Sequence, residues 1–577
     1  MNKSLLIRLF CTLGLFWTAS HFLAAQSIPI IIQPVTDIPD KLNIPKDFSA
    51  KDSADASTKL RNLRFNIVEA GYLTAGFDSL NFGKDTIYAF LNFGNKYKWA
   101  NLDKGNIPEE YLTAIGFREK LYRNEPFSPK ALSKIMEQAL KLAENNGFPF
   151  ASLTLDSLKF RDGEIDAQLN IELNQFTLID SVIIKGGANT NRNYLQSYLG
   201  IKTQVPYSQS VLDKIPGRLK ELSFLRVIKP YEVGMRPGKA DIYLYLDNKK
   251  ASNFNGIIGI LPDRETGKTQ ITGDVELNLL NTLKHGETIK LKWQRLQTKT
   301  QELNLEFDYP FLFSTPIGIE AALNLYRRDT IFSQVNALAG LQYYFKGGNF
   351  ARIFYENNQA NVISSDAFSI NQYIDSRTNM YGVGLNFRRL DYRYNPTKGF
   401  FVETSVAAGQ KTILKNPEVD DSEYDDLNLK SDIYNAKLNT GKYIPIGNRS
   451  TFLLRVRGAY LLNENMFRNE IYRIGGLKTL RGFNEQSIFA SAYAVGTLEY
   501  RFILEENSNV FAFFDQGIYE DRSTDNTISD TPFGFGAGIN FETNAGIFSL
   551  TYALGKQFNN PIEIRSGKIH FGFISFF

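Results

Sequence analysis

Two patterns of apolar positions divide the chain. In the first, Leu60, Leu63 and Ile67 fall on one helical face, and Gly71-Tyr72-Leu73-Thr74-Ala75 follows them. Leu132, Ile135, Ala139 and Leu142 repeat that face before Gly147-Phe148-Pro149-Phe150-Ala151, an offset of 147 − 71 = 76 residues. The same offset again leads to Ser223-Phe224-Leu225-Arg226-Val227, preceded by Leu212, Ile215, Leu219 and Leu222. Spacings of three and four predict amphipathic helices. A constant, domain-sized period predicts tandem copies of one fold.

Two strand-like runs follow each helix. In the second copy, 151–158 and 164–173 flank the turn Arg161-Asp162-Gly163; in the third, 227–233 and 240–246 flank Arg236-Pro237-Gly238. Ser128 and Pro129 start the second helix, and Gly147 ends it. Pro216-Gly217 predicts a kink or a late start in the third helical run. The second and third copies also have an opening strand (about 96–102 and 176–185) and a first helix, which the first copy reads as lacking. Residues 26–56, dotted with Pro29, Pro34, Pro39 and Pro45, read as an extended linker.

From about residue 253 the period becomes two. Leu303, Leu305, Phe307 and Tyr309 alternate with Asn304, Glu306 and Asp308, and Val275, Leu277 and Leu279 with Asp274, Glu276 and Asn278. Ile289, Leu291 and Trp293 alternate with Lys290 and Lys292. Such a face pattern suits a soluble sandwich or a membrane barrel. The number of segments, about sixteen, favours the barrel, because an open sheet of that size would leave long apolar edges. Some joins are short, as at Lys346-Gly347-Gly348-Asn349 and Thr543-Asn544-Ala545-Gly546, and others are long, as at 411–427 and 463–486. The fold class expected is an all-β transmembrane barrel of about 16 antiparallel strands, preceded by tandem α+β domains.

Composition agrees. Phe numbers 45 and Tyr 29 in 577 residues, and no apolar run after residue 25 approaches the ~18 residues of a spanning helix. Residues 1–25, with Lys3, Arg8, the apolar run Leu5 to Leu23, and Ala24-Ala25, read as a secretory signal peptide. Cys11, the sole cysteine, lies inside it, so the exported chain would hold neither disulfide nor thiolate site. The three histidines, His21, His285 and His570, have no partner at ligand spacing, and no metal or cofactor is expected. The net charge of +4 is nearly balanced and implies no nucleic acid.

One loop carries candidate chemistry: Arg473-Ile-Gly-Gly-Leu-Lys-Thr-Leu-Arg481-Gly482-Phe483-Asn-Glu-Gln486, between the expected eleventh and twelfth strands. On a following strand, Phe513, Asp515 and Gly517 share one face by alternation. If that face is luminal, Asp515 needs a partner; Arg481 could supply a forked, permanently charged donor and Phe513 a ring to stack on. Glu499 has luminal parity too. Glycines 475, 476 and 482 would let the loop turn and approach the wall.

The β-α-α-β-β order with its Gly-aromatic entry resembles the POTRA domain, in two full copies and one partial. Leu480-Arg481-Gly482-Phe483 resembles the Val/Ile-Arg-Gly-Phe/Tyr motif of the POTRA-barrel superfamily that includes BamA, TamA and two-partner secretion pores. Phe513, Asp515 and Gly517 resemble its Phe-x-Asp-x-Gly run, and Pro396-Thr397-Lys398-Gly399 its Pro-Thr-x-Gly turn. The last residues, Lys568 to Phe577, resemble the β-signal of outer-membrane proteins: Gly572 and Phe577 fit, and Ser575 departs. The resemblance implies a loop folded into the lumen, with its arginine on an aromatic and an aspartate of the wall. It divides the chain into a signal peptide (1–25), linker (26–56), partial POTRA (57–95), POTRA (96–174), POTRA (175–249) and barrel (250–577).

The function implied is TamA-like assistance to insertion, assembly or translocation of unfolded outer-membrane or secreted client proteins. POTRA domains would lie in the periplasm, with a periplasmic or bridging protein possible as partner, and the barrel in the outer-membrane bilayer. The working part would be an openable seam between the first strand, with Gly256 and Gly259, and the last, with Gly572 and Phe577. The alternative is a two-partner-type pore that secretes one exoprotein. The proline-dotted residues 27–56 make a poor plug helix, and the third, partial copy also speaks against it. No Ser/His/Asp arrangement is visible, so an enzyme is not expected.

Overall fold

The computed structural model describes residues 27–577 except 40–41, 84, 263–268, 298–299, 330, 364–371, 393–394, 418, 525, 544–545 and 563. The signal-peptide reading, with Cys11 and His21, and the Asn544-Ala545 turn lie outside the described residues. The chain forms two compact units, residues 1–178 with 206–209, and residues 179–205 with 210–577.

The first unit contains two small sheets. In the first, Ile28–Pro34 lies parallel to Ile87–Asn92 and antiparallel to Asp47–Ala50, and Gly76–Phe82 closes the other edge. The helix Ser53–Glu69 covers it with Ala56, Leu60, Leu63 and Ile67, capped by Asp52, which accepts from the Asp55 N–H at 2.8 Å. Here the linker reading of 26–56 is corrected. Ile30 and Ile32 are core residues, 0% and 5% exposed, and the opening strand thought missing is present. Pro29 and Pro34 had argued against it, yet Pro34 stands at the last position of the strand and Pro29 faces the short neighbour. Among the described residues of this copy, only the first helix is missing.

The second sheet orders Lys98–Asp103, Glu164–Glu172 and Ser152–Arg161, the first pair parallel. Glu109–Ile115 and Pro129–Asn145 are its helices, the latter capped by Ser128 and started by Pro129. Gly147 adopts φ +96°, and a Cβ there would meet the Phe176 ring at 2.4 Å, so only glycine fits.

The second unit joins a third α+β sheet to the barrel. Leu225–Arg236, Lys239–Asn248 and Leu178–Lys185 lie in that order, with helices Arg192–Leu199 and Ile215–Glu221. The last helix starts late, with Pro216 in its first turn. This domain is fastened to the barrel rim. The Asn191 N–H donates to the Lys284 carbonyl at 2.7 Å, Asn281 Nδ2 to Thr190 Oγ1 at 3.1 Å, and the Tyr194 ring packs edge-on to Phe311 at 5.9 Å.

The barrel closes through sixteen antiparallel strands among the described residues, from Asn253–Pro262 to Lys568–Phe576; a short extra strand, Ile528–Asp530, pairs beside the thirteenth. Outward residues such as Leu341, Ile353, Tyr381, Val406, Leu454, Ile518 and Phe571 stand exposed. Inward ones such as Gln342, Glu356, Lys411, Glu499 and Asp515 are buried. This inversion of the soluble pattern is what lipid outside and a polar lumen require. Among the described residues no helix is long and apolar enough to cross a membrane.

The corrected first strand gives a prediction. Ile30→Ala should destabilise the first sheet by about 2–5 kcal/mol, as for other large-to-small core changes. Limited proteolysis of the full chain would then cut within 28–92 while the barrel stays intact. A cleavage pattern like the parent's would mean that residues 28–34 add nothing to this core.

Candidate lumen site and barrel seam

The eleventh strand is Ser450–Asn463 and the twelfth Ala492–Glu505. The chain between them folds into the lumen instead of away from it. A two-stranded ribbon, Tyr472–Ile474 on Ile488–Ala490, forms its stem. Ile474, Leu480, Phe483, Ile488 and Ala490 pack with Val495 and Tyr519 of the wall. This local apolar cluster explains why a polar, glycine-rich loop holds one shape: Leu480 is 0% exposed.

At the tip Arg481 meets the thirteenth strand, Ser508–Asp521. Its Nε donates to Asp515 Oδ2 and its Nη2 to Asp515 Oδ1, both at 2.7 Å, a two-pronged pair. Its backbone N–H adds a bond to Oδ2 at 3.2 Å, and Thr497 Oγ1 donates to Oδ1 at 2.8 Å. Four donors thus saturate a carboxylate buried at 1% exposure. Nη1 of Arg481 donates to Glu499 Oε2 at 2.5 Å, and Arg501 Nε donates to Glu499 Oε1 at 2.7 Å. The guanidinium carbon stands 3.5 Å from the Phe513 ring centroid, a close cation–π contact. The structure therefore brings together Arg481, Phe513, Asp515 and Glu499, residues 18 to 34 positions apart for the bonded pairs.

The wall is shaped to admit the loop. Gly482 has φ +94°, and a Cβ on it would lie 2.5 Å from the Leu554 carbonyl oxygen; a Cβ on Gly534 would lie 1.9 Å from that of Arg481. Phe483 packs in the apolar cluster, away from the ion pairs. The loop also reaches other parts of the wall. Gln486 Nε2 donates to Glu302 Oε2 at 2.7 Å, Lys478 Nζ approaches Glu276 Oε2 at 3.4 Å, and the Arg473 guanidinium lies 3.8 Å over Tyr326. Those contacts lie on the second, fourth and fifth strands, so one loop ties them to the twelfth and thirteenth. Sequence reasoning missed Arg473, Gln486 and Arg501. Arg501 had a signal, since it shares the face of Glu499 two positions away.

A second anchor also escaped the sequence reading. Lys411, 0% exposed, pairs through Nζ with Glu470 and donates to the Asn465 carbonyl at 2.7 Å. Asn469 holds Ile374 through two bonds, Nδ2 to the carbonyl at 2.8 Å and Oδ1 from the N–H at 3.3 Å. The Pro-Thr-x-Gly turn is ordered by Asp391, whose carboxylate accepts from the N–H groups of Thr397 and Lys398 at 3.0 and 3.1 Å. Among the described residues no His, Cys, Asp or Glu group could hold a metal ion.

The seam is narrow. The first strand pairs with the second over its whole length, and the last with the fifteenth over seven positions. Between first and last, among the described residues, only Asn253 opposite Phe576 and Phe254 opposite Ser575 pair. One further bond runs from the Phe577 N–H to the Ser252 carbonyl at 2.9 Å. The seam glycines lie past these positions. Gly256 pairs with Val275, Gly259 with Thr272 and Gly572 with Ser549, all on the inner sides of the two strands. Extending the register of Asn253 and Phe576 sets Gly259 opposite His570, not opposite Gly572.

Breaking the lumen cluster should be costly. Removing one partner of a buried ion pair typically destabilises by about 3–5 kcal/mol, because the other charge stays buried alone. Arg481→Ala should still fold into a heat-modifiable barrel, lose stability on that scale in urea, and expose 475–487 to protease. Arg481→Lys should rescue little, since an ammonium cannot serve Asp515 with two prongs and Glu499 as well. Parent-like stability and loop protection in Arg481→Ala would contradict the assignment.

No curated protein sequence matches the chain. Among solved structures it is similar to CdiB from Escherichia coli, at 12% identity and TM-score 0.54, covering 91% of this chain and 97% of that one. It is also similar to CdiB from Acinetobacter baumannii, at 13% identity and TM-score 0.52, covering 84% and 90%. BamA from Haemophilus ducreyi lacking POTRA domains 1–3 aligns at 16% identity and TM-score 0.43, covering 83% and 100%. Identities this low speak to the fold alone. Residues 281–577, just over half of the chain, match the Omp85 superfamily domain. With its closed sixteen-strand barrel and preceding POTRA-like domains, the chain belongs to the Omp85 superfamily.

Proposed function

We propose that this barrel assists the insertion or assembly of client proteins in the bacterial outer membrane, in the manner of TamA, and that its seam is the working part. The observation that carries this reading is the two-position closure between the first and last strands. Every unpaired N–H and C=O in lipid is costly, so the unpaired remainder of the seam is a template for another strand. A client strand would add to the edge of Asn253–Pro262 by β-augmentation, with main-chain bonds as the source of affinity.

In this reading the α+β domains face the periplasm and receive unfolded clients. Exposed apolar side chains on their edge strands support it: Leu158 and Phe160 on Ser152–Arg161, and Val227, Ile228 and Met235 on Leu225–Arg236. The Arg481 cluster keeps the wall of the twelfth and thirteenth strands rigid while the seam opens. No covalent chemistry is required of any residue.

The test is a disulfide across the seam. Phe254→Cys with Ser575→Cys places the thiols on register partners, and the only native cysteine, Cys11, lies in the segment read as a signal peptide. The oxidised protein should lose assembly of a model outer-membrane barrel in proteoliposomes and regain it on reduction. Full assembly by the oxidised form would refute the seam mechanism. If ion conductance and delivery of a secreted chain continue in that form, the two-partner-type pore replaces it.

A further inference from the structure

Beside the Arg481 cluster the lumen contains a polar cavity of about 250 Å3, lined among others by Arg455, Arg457, Thr497, Ser549 and Thr551. Its charges do not balance. The two carboxylates in its lining, Glu499 and Asp515, are already matched by Arg501 and Arg481. Lys478, also in the lining, is matched by Glu276 at 3.4 Å, so Arg455 and Arg457 remain. They stand two positions apart on the eleventh strand and so share its luminal face.

Neither has a carboxylate of its own. Arg455 donates through Nε to Asn439 Oδ1 at 2.9 Å. Asn439 in turn donates to Glu403 Oε2 at 2.7 Å, and Glu403 pairs with Arg388. That chain leaves the Nη edge of Arg455 unengaged by any described residue. Arg457 stands opposite Asn439 and Val495 in the sheet, and its side chain makes neither hydrogen bond nor ion pair with any described residue. Two guanidinium forks thus face one small cavity, with the Ser549 and Thr551 side chains on another part of its wall.

Sheltered charge is costly without a counter-charge, and the planar guanidinium fork fits a tetrahedral or carboxylate oxyanion through paired bonds. We propose that this cavity is a binding site for a phosphate-class oxyanion, held by Arg457 and the Nη edge of Arg455. Hydroxyls such as Ser549 and Thr551 can complete the coordination, since each donates one bond. Inorganic phosphate and a phosphate on a lipid headgroup present the same oxygens to these residues. The site stands apart from the seam mechanism and survives its failure.

The experiment uses the full chain in neutral detergent, titrated with inorganic phosphate by calorimetry in a phosphate-free buffer, beside a phosphorus assay of its organic extract. Heat-modifiable migration verifies that each variant is folded. Arg457→Gln should weaken phosphate by about tenfold or more, the usual consequence of losing a charge-assisted bond. Arg457→Lys, which keeps the charge, should weaken it less. Saturable binding by the parent together with a phosphorus-free extract identifies the free anion as ligand. Lipid phosphorus that co-purifies with the parent and is lost in Arg455→Gln/Arg457→Gln identifies the headgroup. The proposal is overturned if the parent neither binds phosphate nor retains lipid phosphorus, or if the double variant matches it in both assays.

Discussion

Backbone pairing in lipid is the constraint on which the rest of the structure depends. A spanning segment cannot leave N–H and C=O groups without partners, and a sheet meets that demand only by closing on itself. Fifteen of the joins between the sixteen strands do so over long registers, up to Ser376–Leu390 on Gly399–Ile413, which pair at every position. Among the described residues the sixteenth join pairs at two. A barrel built in this way concentrates its unmet hydrogen-bonding capacity along one line. Physical weakness and proposed function coincide there.

Such a barrel needs stiffness elsewhere, and the lumen supplies a source of it. Asp515, placed inward by strand alternation, could not remain buried and ionised without a partner. The loop arginine meets this need with four contacts from one side chain: two prongs on Asp515, one on Glu499 and a face on Phe513. Because the same loop also holds Glu302 through Gln486 and lies over Tyr326 through Arg473, the ion cluster is coupled to the far wall. The Lys411–Glu470 pair repeats the device earlier in the same loop. Around these pairs the excess of arginine on the eleventh strand gives the lumen an uneven charge, from which the proposed anion site arises.

The strongly periodic parts of this fold were legible in the sequence. Period-two alternation at 275–279 and 303–309 set both the strands and their faces, and the faces told which residues line the lumen. The helix faces of the α+β repeats were equally plain, because Leu132, Ile135 and Ala139 recur at helical spacing beside a Ser-Pro start. Arg481 and Asp515 could be paired because one is a loop arginine among glycines and the other sits on a readable strand. The opening strand 28–34 was hidden by its prolines, whose local signal outweighed the alternation of Ile28, Ile30 and Ile32; tertiary pairing with Ile87–Asn92 decided the matter. The seam register was hidden for a different reason. Nothing local in either edge strand records how few positions the two share.

Amide hydrogen exchange on the protein in bilayers tests the seam most directly. Exchange reports the free energy of local opening strand by strand. The account predicts early exchange in 255–262 and 568–574, the two strands beyond their shared positions, while Lys430–Ile446 at the opposite wall stays protected for hours. Equal protection of the edge strands and of Lys430–Ile446 would mean that the seam is as firmly closed as any other join, and would contradict the account.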